Sequence, residues 1–279
     1  MTTTPTIEAN GASIPVIGLG TFTLTGETCE RAVVSAIEEG YRHIDTAAMY
    51  GNEREVGAGL RASGIARNEV FVTTKVWLDD IAPSDLERSA AESLRRLGLD
   101  EVDLLLIHWP NAAVPVAAST GALCEAKRRG LARHVGVSNY PVALLRDALR
   151  HASEPLSCNQ VESHPFLDQS AVRAACREAG MALVAYCPLG RSGVFGDPTL
   201  RAIAEAHGRT VSQVVLRWHV EQPGTVAIPK SGTPAHIAEN IDVFDFMLTD
   251  DEMRRISALA RPDGRVIDPS FAPAWDAAA

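Results

Sequence analysis

Paired cysteines, a long apolar run, a leader-like N-terminus and an excess of basic charge are all missing from this chain. Its five cysteines (Cys29, Cys124, Cys158, Cys176 and Cys187) are odd in number and show no Cys-x-x-Cys spacing. That argues against a disulfide framework and for reduced thiols in a cytosolic protein. No grouping of cysteine and histidine has zinc-ligand spacing, so no metal is expected. No window holds the roughly 18 consecutive apolar residues of a membrane span. The opening Met1-Thr2-Thr3-Thr4-Pro5 has neither a basic stretch nor an apolar core, so no signal peptide is expected. A net charge of −9 argues against a nucleic-acid partner, while leaving room for a local basic pocket around one small anion. Gly18-Leu19-Gly20 lacks the third glycine of a Gly-x-Gly-x-x-Gly turn, which counts against an open dinucleotide-binding sheet. No linker or low-complexity stretch interrupts the 279 residues, and a single domain over 1–279 is expected.

What is present is alternation. Asn10-Gly11 supplies a turn for a short hairpin within 6–20 that leads into a strand. Helical spacing over 27–40 then gives way to a strand at 41–45, and the pattern repeats. Helices are expected at 53–63, 83–98, 116–130, 141–151 and 168–180, the last capped by Asp168, and then at 198–207, 210–221, 234–240 and 249–260. Strands are expected at 70–75, 102–107, 132–137, 157–161, 182–186 and 226–228. The strands are short, continuously apolar and rich in Val, Ile and Leu, as parallel strands buried on both faces are. Eight strand–helix repeats in this length predict an α/β fold, a (β/α)8 TIM barrel, with the N-terminal β-hairpin before it. Residues 261–279 have no period and hold Pro262, Pro269 and Pro273, so they read as a C-terminal tail beside the barrel mouth.

In such a barrel the chemistry gathers at the C-terminal ends of the strands. The second, third and fourth strands run into Asp45, Lys75 and His108, and Tyr50 follows Asp45 in the next loop. Singly, each has an ordinary reading as a cap, a solvated cation or a packed ring. Together on consecutive strand ends they form a proton-transfer set. The Lys75 ammonium is expected to lower the pKa of the Tyr50 phenol, Asp45 to hold Lys75, and His108 to hydrogen-bond a carbonyl oxygen.

These residues lie within motifs that resemble the aldo-keto reductase family over essentially the whole chain. The motifs are Tyr41-Arg42-His43-Ile44-Asp45-Thr46-Ala47-Ala48-Met49-Tyr50-Gly51-Asn52-Glu53, Thr74-Lys75-Val76-Trp77, Leu106-Ile107-His108-Trp109-Pro110, Gly136-Val137-Ser138-Asn139-Tyr140 and Ile228-Pro229-Lys230-Ser231. The resemblance implies a catalytic tetrad of Asp45, Tyr50, Lys75 and His108, with Tyr50 as general acid and hydride passing directly from a nicotinamide. It implies NADPH or NADH as cofactor. Gly20, Thr21 and Asp45 would border it, and Ser138, Asn139 and Gln160 would bond its carboxamide. Tyr186 would stack on the nicotinamide. Cys187 stands where the family often has Ser near the pyrophosphate, followed by Pro188, Leu189 and Gly190. Ile228, Pro229, Lys230, Ser231 and Gly232 match the adenosine-phosphate site, and Glu239 and Asn240 the adenine contacts. His236 stands where the family usually has Arg.

Phe22, Met49, Tyr50, Trp77, His108 and Trp109 are the expected substrate walls, with Trp275 added by the tail. The short segment after Pro110 and the ending Phe271-Ala272-Pro273-Ala274-Trp275-Asp276 resemble bacterial members that reduce 2,5-diketo-gluconate, methylglyoxal and related small carbonyls. The expected protein is thus a monomeric cytoplasmic carbonyl reductase with no nucleic-acid or membrane partner. Its rivals are a cofactor-binding regulatory subunit with little turnover and an aldolase-type barrel with a Schiff base at Lys75.

Overall fold

The structure, a computed structural model, describes residues 4–276. Strands β1 (Thr6–Ala9) and β2 (Ala12–Pro15) form an antiparallel hairpin with Ile7 opposite Ile14. Its turn places Asn10 and Gly11 at φ of 48° and 87°, the left-handed pair that a tight hairpin demands. Eight parallel strands follow in sequential order: β3 (Leu19–Gly20), β4 (His43–Asp45), β5 (Phe71–Val76), β6 (Val102–Ile107), β7 (Ala132–Ser138), β8 (Leu156–Glu162), β9 (Ala182–Tyr186) and β10 (Thr225–Ala227). Parallel bridges Ile17–Ala227 and Gly20–Lys230 join the first strand to the last and close the barrel. Gly20 permits this closure, because a Cβ there would stand 2.8 Å from the Ile228 carbonyl oxygen.

Helices alternate with the strands around the outside: α1 (Gly26–Glu38), α2 (Glu53–Ala62), α3 (Pro83–Leu97), α4 (Val116–Arg128), α5 (Val142–His151), α6 (Ser170–Glu178), α7 (Pro198–His207), α8 (Val211–Glu221), α9 (Pro234–Ile241) and α10 (Asp250–Ser257). In α1 the apolar spacing buries Cys29, Ala32, Val33, Ala36 and Ile37 on one face. Capping boxes start α8 (Thr210 with Gln213) and α10 (Thr249 with Glu252), and left-handed Gly98 and Gly208 end α3 and α7. One helix start differs from the sequence expectation. Asp168 does not cap α6. Its Oδ1 accepts the Ser170 N–H at 2.8 Å in a turn one residue early, and Gln169 at the cap position donates its side chain to the Glu162 carbonyl at 2.7 Å.

Most of the core lies between barrel and helices. A second cluster fills the barrel interior, where Phe71, Leu104, Leu106, Cys158, Ala182, Val184 and Val226 meet Ala9, Ala12 and Ile14 of the hairpin. The hairpin therefore stops the N-terminal end of the barrel with apolar side chains, and polar chemistry is confined to the other end. Residues 261–276 form neither helix nor strand and run as a strap beside the barrel mouth; the last three residues of the expected tail lie outside the described residues. No helix among the described residues is long and apolar enough to cross a membrane.

Asn10 also donates its Nδ2 to the carbonyls of Leu156 (2.7 Å) and Ala179 (2.9 Å), tying the hairpin to the barrel floor. Asn10→Ala removes both bonds and places a Cβ-bearing residue without a local hydrogen bond at a left-handed φ. It should lower the unfolding free energy in urea by about 1–3 kcal/mol, leaving the chemistry at the opposite end untouched. An unchanged midpoint would show that the apolar face alone holds the hairpin.

Candidate active site

The C-terminal ends of β4, β5 and β6 bring Asp45, Lys75 and His108 together, as the strand order requires. Lys75 is fully buried, and its ammonium donates to Asp45 Oδ1 (2.5 Å), the Thr46 carbonyl (2.9 Å) and the Tyr50 hydroxyl (3.2 Å). All three protons of the cation have acceptors. The second carboxylate oxygen of Asp45 accepts from Gln160 Nε2 at 2.7 Å. Tyr50 ends a 3-10 turn over Ala48–Tyr50 and rests edge-on to His108, with ring centroids 5.6 Å apart.

Asn52 fixes that turn. It is fully buried, accepts from Thr46 Oγ1 (2.7 Å) and donates to the carbonyls of Thr21 (2.8 Å) and Leu24 (2.9 Å). The amide thus joins the loops after β3 and β4 two residues from Tyr50. Buried Glu53 accepts from Thr74 Oγ1 (2.6 Å) and Arg96 Nε (2.6 Å), anchoring the start of α2 to β5 and α3.

The ionisation of the four groups follows from their burial. Burial moves the Lys75 pKa down from its ordinary value, against the pull of Asp45. His108 is pushed well below its ordinary value by burial and then by the Lys75 charge, so its ring is neutral. The Tyr50 phenol is moved up, first by burial of its hydroxyl and then by the Asp45 and Cys187 charges. This reverses the direction expected from the sequence. The nearby ammonium is there, but loss of water around the phenolate outweighs it. His108 Nδ1 is buried without a hydrogen-bond partner among the described residues.

The expected cofactor residues form a second network on β7, β8 and β9. Asn139, at a left-handed φ of 63°, donates Nδ2 to the His108 carbonyl (3.0 Å) and to Ser138 Oγ (3.1 Å) and accepts the Tyr186 hydroxyl at 2.7 Å. Ser138 Oγ donates to the Gln160 carbonyl at 2.8 Å. Tyr186 is half-buried at the mouth, with its ring held by that phenol bond. Cys187 takes a left-handed φ of 48° and leads into Pro188, Leu189 and Gly190. Lys230 is exposed, Ser231 is buried, and Gly232 precedes α9, in which His236 is exposed on the first turn and Asn240 is buried on the last. Glu239 accepts from Thr210 Oγ1 at 2.8 Å.

The substrate walls form a chain of rings in edge-on or tilted contact around the mouth. Phe22 meets Tyr50 (5.0 Å), His108 meets Trp77 (5.2 Å), Trp77 meets Phe271 (5.6 Å), Phe271 meets Trp109 (5.4 Å) and Trp109 meets Trp275 (5.9 Å). Phe22, Met49 and Phe271 are the exposed members. Phe271 was not singled out as a wall from the sequence. Its tail has no period to show which residue turns inward; only its place in an aromatic segment hinted at it. The remaining histidines lie outside the tetrad. His164 and His219 are buried beneath the Pro188–Gly190 loop, His219 facing the Pro188 carbonyl at 3.3 Å.

Comparison with known proteins places these features in context. The sequence profile of the Aldo/keto reductase family matches residues 16–261. An aldo-keto reductase of Mycolicibacterium smegmatis is 44% identical over 257 residues, covering 91% of this chain and 90% of that protein. The morphine 6-dehydrogenase of Pseudomonas putida is 42% identical, covering 94% of each. A crystal structure provisionally assigned as a 2,5-diketo-D-gluconic acid reductase B superposes with a TM-score of 0.97 at 44% identity, covering 99% of this chain and 98% of that one. The Bombyx mori aldo-keto reductase in complex with NADP superposes with a TM-score of 0.89 at 37% identity, covering 97% of each chain.

Because burial raises the Tyr50 pKa, the phenol should stay protonated beyond the ordinary tyrosine value of about 10. Ultraviolet difference titration of the protein against Tyr50→Phe measures this directly. Phenolate signal from Tyr50 below about pH 9 would mean that the Lys75 charge, not burial, governs the group.

Proposed function

The chain belongs to the aldo/keto reductase family of NAD(P)H-dependent carbonyl reductases, and from that premise we propose that it reduces small carbonyls such as diketo-sugar acids or 2-oxoaldehydes, with Tyr50 as the proton donor. The observation that carries the reading is the buried Lys75 ammonium, held by Asp45 and directed at the Tyr50 hydroxyl. The residues present fit a nicotinamide cofactor: Tyr186 offers a half-exposed ring held by Asn139, and exposed Lys230 with the start of α9 offers positive charge for a phosphate. When bound, the nicotinamide supplies a hydride to the carbonyl carbon.

The chain's own groups do the rest. His108 orients the carbonyl oxygen with a ring N–H. The alkoxide that forms is more basic than a phenolate, so a neutral phenol gives up its proton even with a raised pKa. Lys75, 3.2 Å from that hydroxyl, then stabilises the phenolate left behind. The same geometry weakens the Schiff-base reading, because Lys75 lies fully buried with every proton bonded. A purely regulatory cofactor-binding subunit would not need a buried cation aimed at a phenol. Within the substrate class, the aromatic mouth favours 2-oxoaldehydes over sugar acids. The nearby Arg265 lies over the Trp275 ring at 3.7 Å, and its charge already faces the Glu162 carboxylate, Nη1 to Oε2, at 3.7 Å.

Tyr50→Phe tests the mechanism. Carbonyl reduction should fall by at least about 10²–10⁴-fold, the worth of general acid catalysis, while NADPH affinity by fluorescence titration stays at the parent value. A near-normal kcat would sink the role of Tyr50.

Cofactor choice turns on His236, exposed on the first turn of α9. An imidazole lacks the guanidinium's permanent charge and bidentate fork. Losing one charge-assisted bond to the 2′-phosphate costs roughly 1.5–3 kcal/mol, on the order of 10–150-fold in NADPH affinity. Lys230 remains. The protein should therefore use both NADPH and NADH, and His236→Arg should raise kcat/KM for NADPH alone. Strong NADPH preference in the parent, unmoved by the substitution, would show that another group grips the phosphate.

A further inference from the structure

We propose that Glu162 is a positioning residue that sets the shape of the carbonyl pocket through the C-terminal strap, and so governs how bulky a substrate the pocket accepts. Glu162 ends β8 two residues beyond Gln160, on the same inward parity, and is fully buried. A carboxylate in that position must find donors. It takes them from the strap: Oε1 accepts the Val266 N–H at 2.7 Å and Oε2 accepts the Ile267 N–H at 2.9 Å. Arg265 Nη1 adds its charge 3.7 Å from Oε2, and His164 Nε2 lies 2.9 Å from Oε1.

Few other hydrogen bonds fix the strap. Among the described residues, its only other hydrogen bonds to the barrel between Gly264 and its end are those that the Asp276 carboxylate accepts from the Val142 N–H, the shorter at 2.9 Å. Between the ends of the strap and the start of α6 lies a cavity of about 250 Å³, lined in part by Asp168, Gln169, Arg265, Asp268 and Trp275. Among the described residues, 268–275 make no hydrogen bond outside the strap, so its middle is placed by the anchors at its two ends and by the ring contacts of Phe271 and Trp275. Phe271 lies between the anchors, 43% exposed, and closes the pocket against Trp77 and Trp109. Releasing Val266 and Ile267 frees Phe271 from one side while leaving Asp45, Lys75 and His108 at their strand ends and Tyr50 on the turn that Asn52 holds.

The choice of substrates rests on the 2-oxoaldehyde reading above, but the anchor can be measured without turnover. Methylglyoxal and phenylglyoxal share a reacting group and differ in bulk. In Glu162→Gln, amide hydrogen exchange over 266–276 should quicken by about 10–150-fold, the worth of a bond to a charged acceptor, with the barrel strands unchanged. KM for phenylglyoxal should rise by about 3–10-fold, the scale of one aromatic contact, and kcat with methylglyoxal should hold. Adding Glu162→Gln to Phe271→Ala should raise the phenylglyoxal KM no further, since the acid acts through that ring. Val266→Pro, which removes one donor from the exposed strap and spares the buried acid, should give the same pattern more weakly and serves if Glu162→Gln does not fold. Unchanged strap exchange, equal loss on both substrates, or additivity with Phe271→Ala overturns the proposal. If the parent reduces neither compound, the 2-oxoaldehyde reading fails, and strap exchange alone decides the role of Glu162.

Discussion

The buried ion pair between Lys75 and Asp45 is the constraint around which the mouth of this barrel is arranged. Both side chains are almost wholly removed from water and lie 2.5 Å apart. Removing two charges from solvent costs several kcal/mol for each ion, even in a relaxed protein. The Coulomb attraction offsets that cost only when the remaining protons and lone pairs also find partners. This accounts for the Thr46 carbonyl and the Tyr50 hydroxyl around the ammonium, and for Gln160 on the far carboxylate oxygen. It also accounts for a neutral His108, since a second cation beside Lys75 would be opposed by burial and repulsion alike.

A polar cluster of this kind needs a scaffold that cannot collapse around it. The hairpin and the inward side chains of the lower barrel supply an apolar plug, which leaves the C-terminal end as the place where inward residues can be polar. Asn52 and Glu53 then hold the Tyr50 turn from outside the cluster. The phenol is positioned by loops tied to three strands, so its distance to Lys75 does not depend on a single flexible segment.

Much of this was legible in the sequence, for local reasons. Short apolar runs read as buried parallel strands, and Asp45, Lys75 and His108 stood at their ends. Parallel order then made those residues neighbours without any tertiary information. The direction of the Tyr50 pKa was not legible. Sequence shows that a lysine can approach a phenol, but not that water is excluded from both, and exclusion is the larger effect here. The Asp168 cap was misread for a similar reason. The competing bond from Gln169 to the Glu162 carbonyl depends on a neighbouring strand end and moves the cap of α6 by one residue.

The strap shows the same limit from the other side. Its residues have no hydrophobic period, and its position comes from contacts with β8 and α5 more than 100 residues away in sequence. Nothing local announces that Phe271 turns inward between Trp77 and Trp109. The physical division is useful to an enzyme. Groups that handle the proton sit at strand ends or, for Tyr50, on a turn that Asn52 and Glu53 tie to three strands, whereas the wall that judges substrate bulk hangs from a few hydrogen bonds and ring contacts. Changes in the strap can therefore alter which carbonyl fits without disturbing the buried pair, because the two are coupled through Trp77 and Trp109 rather than through Lys75 or Asp45.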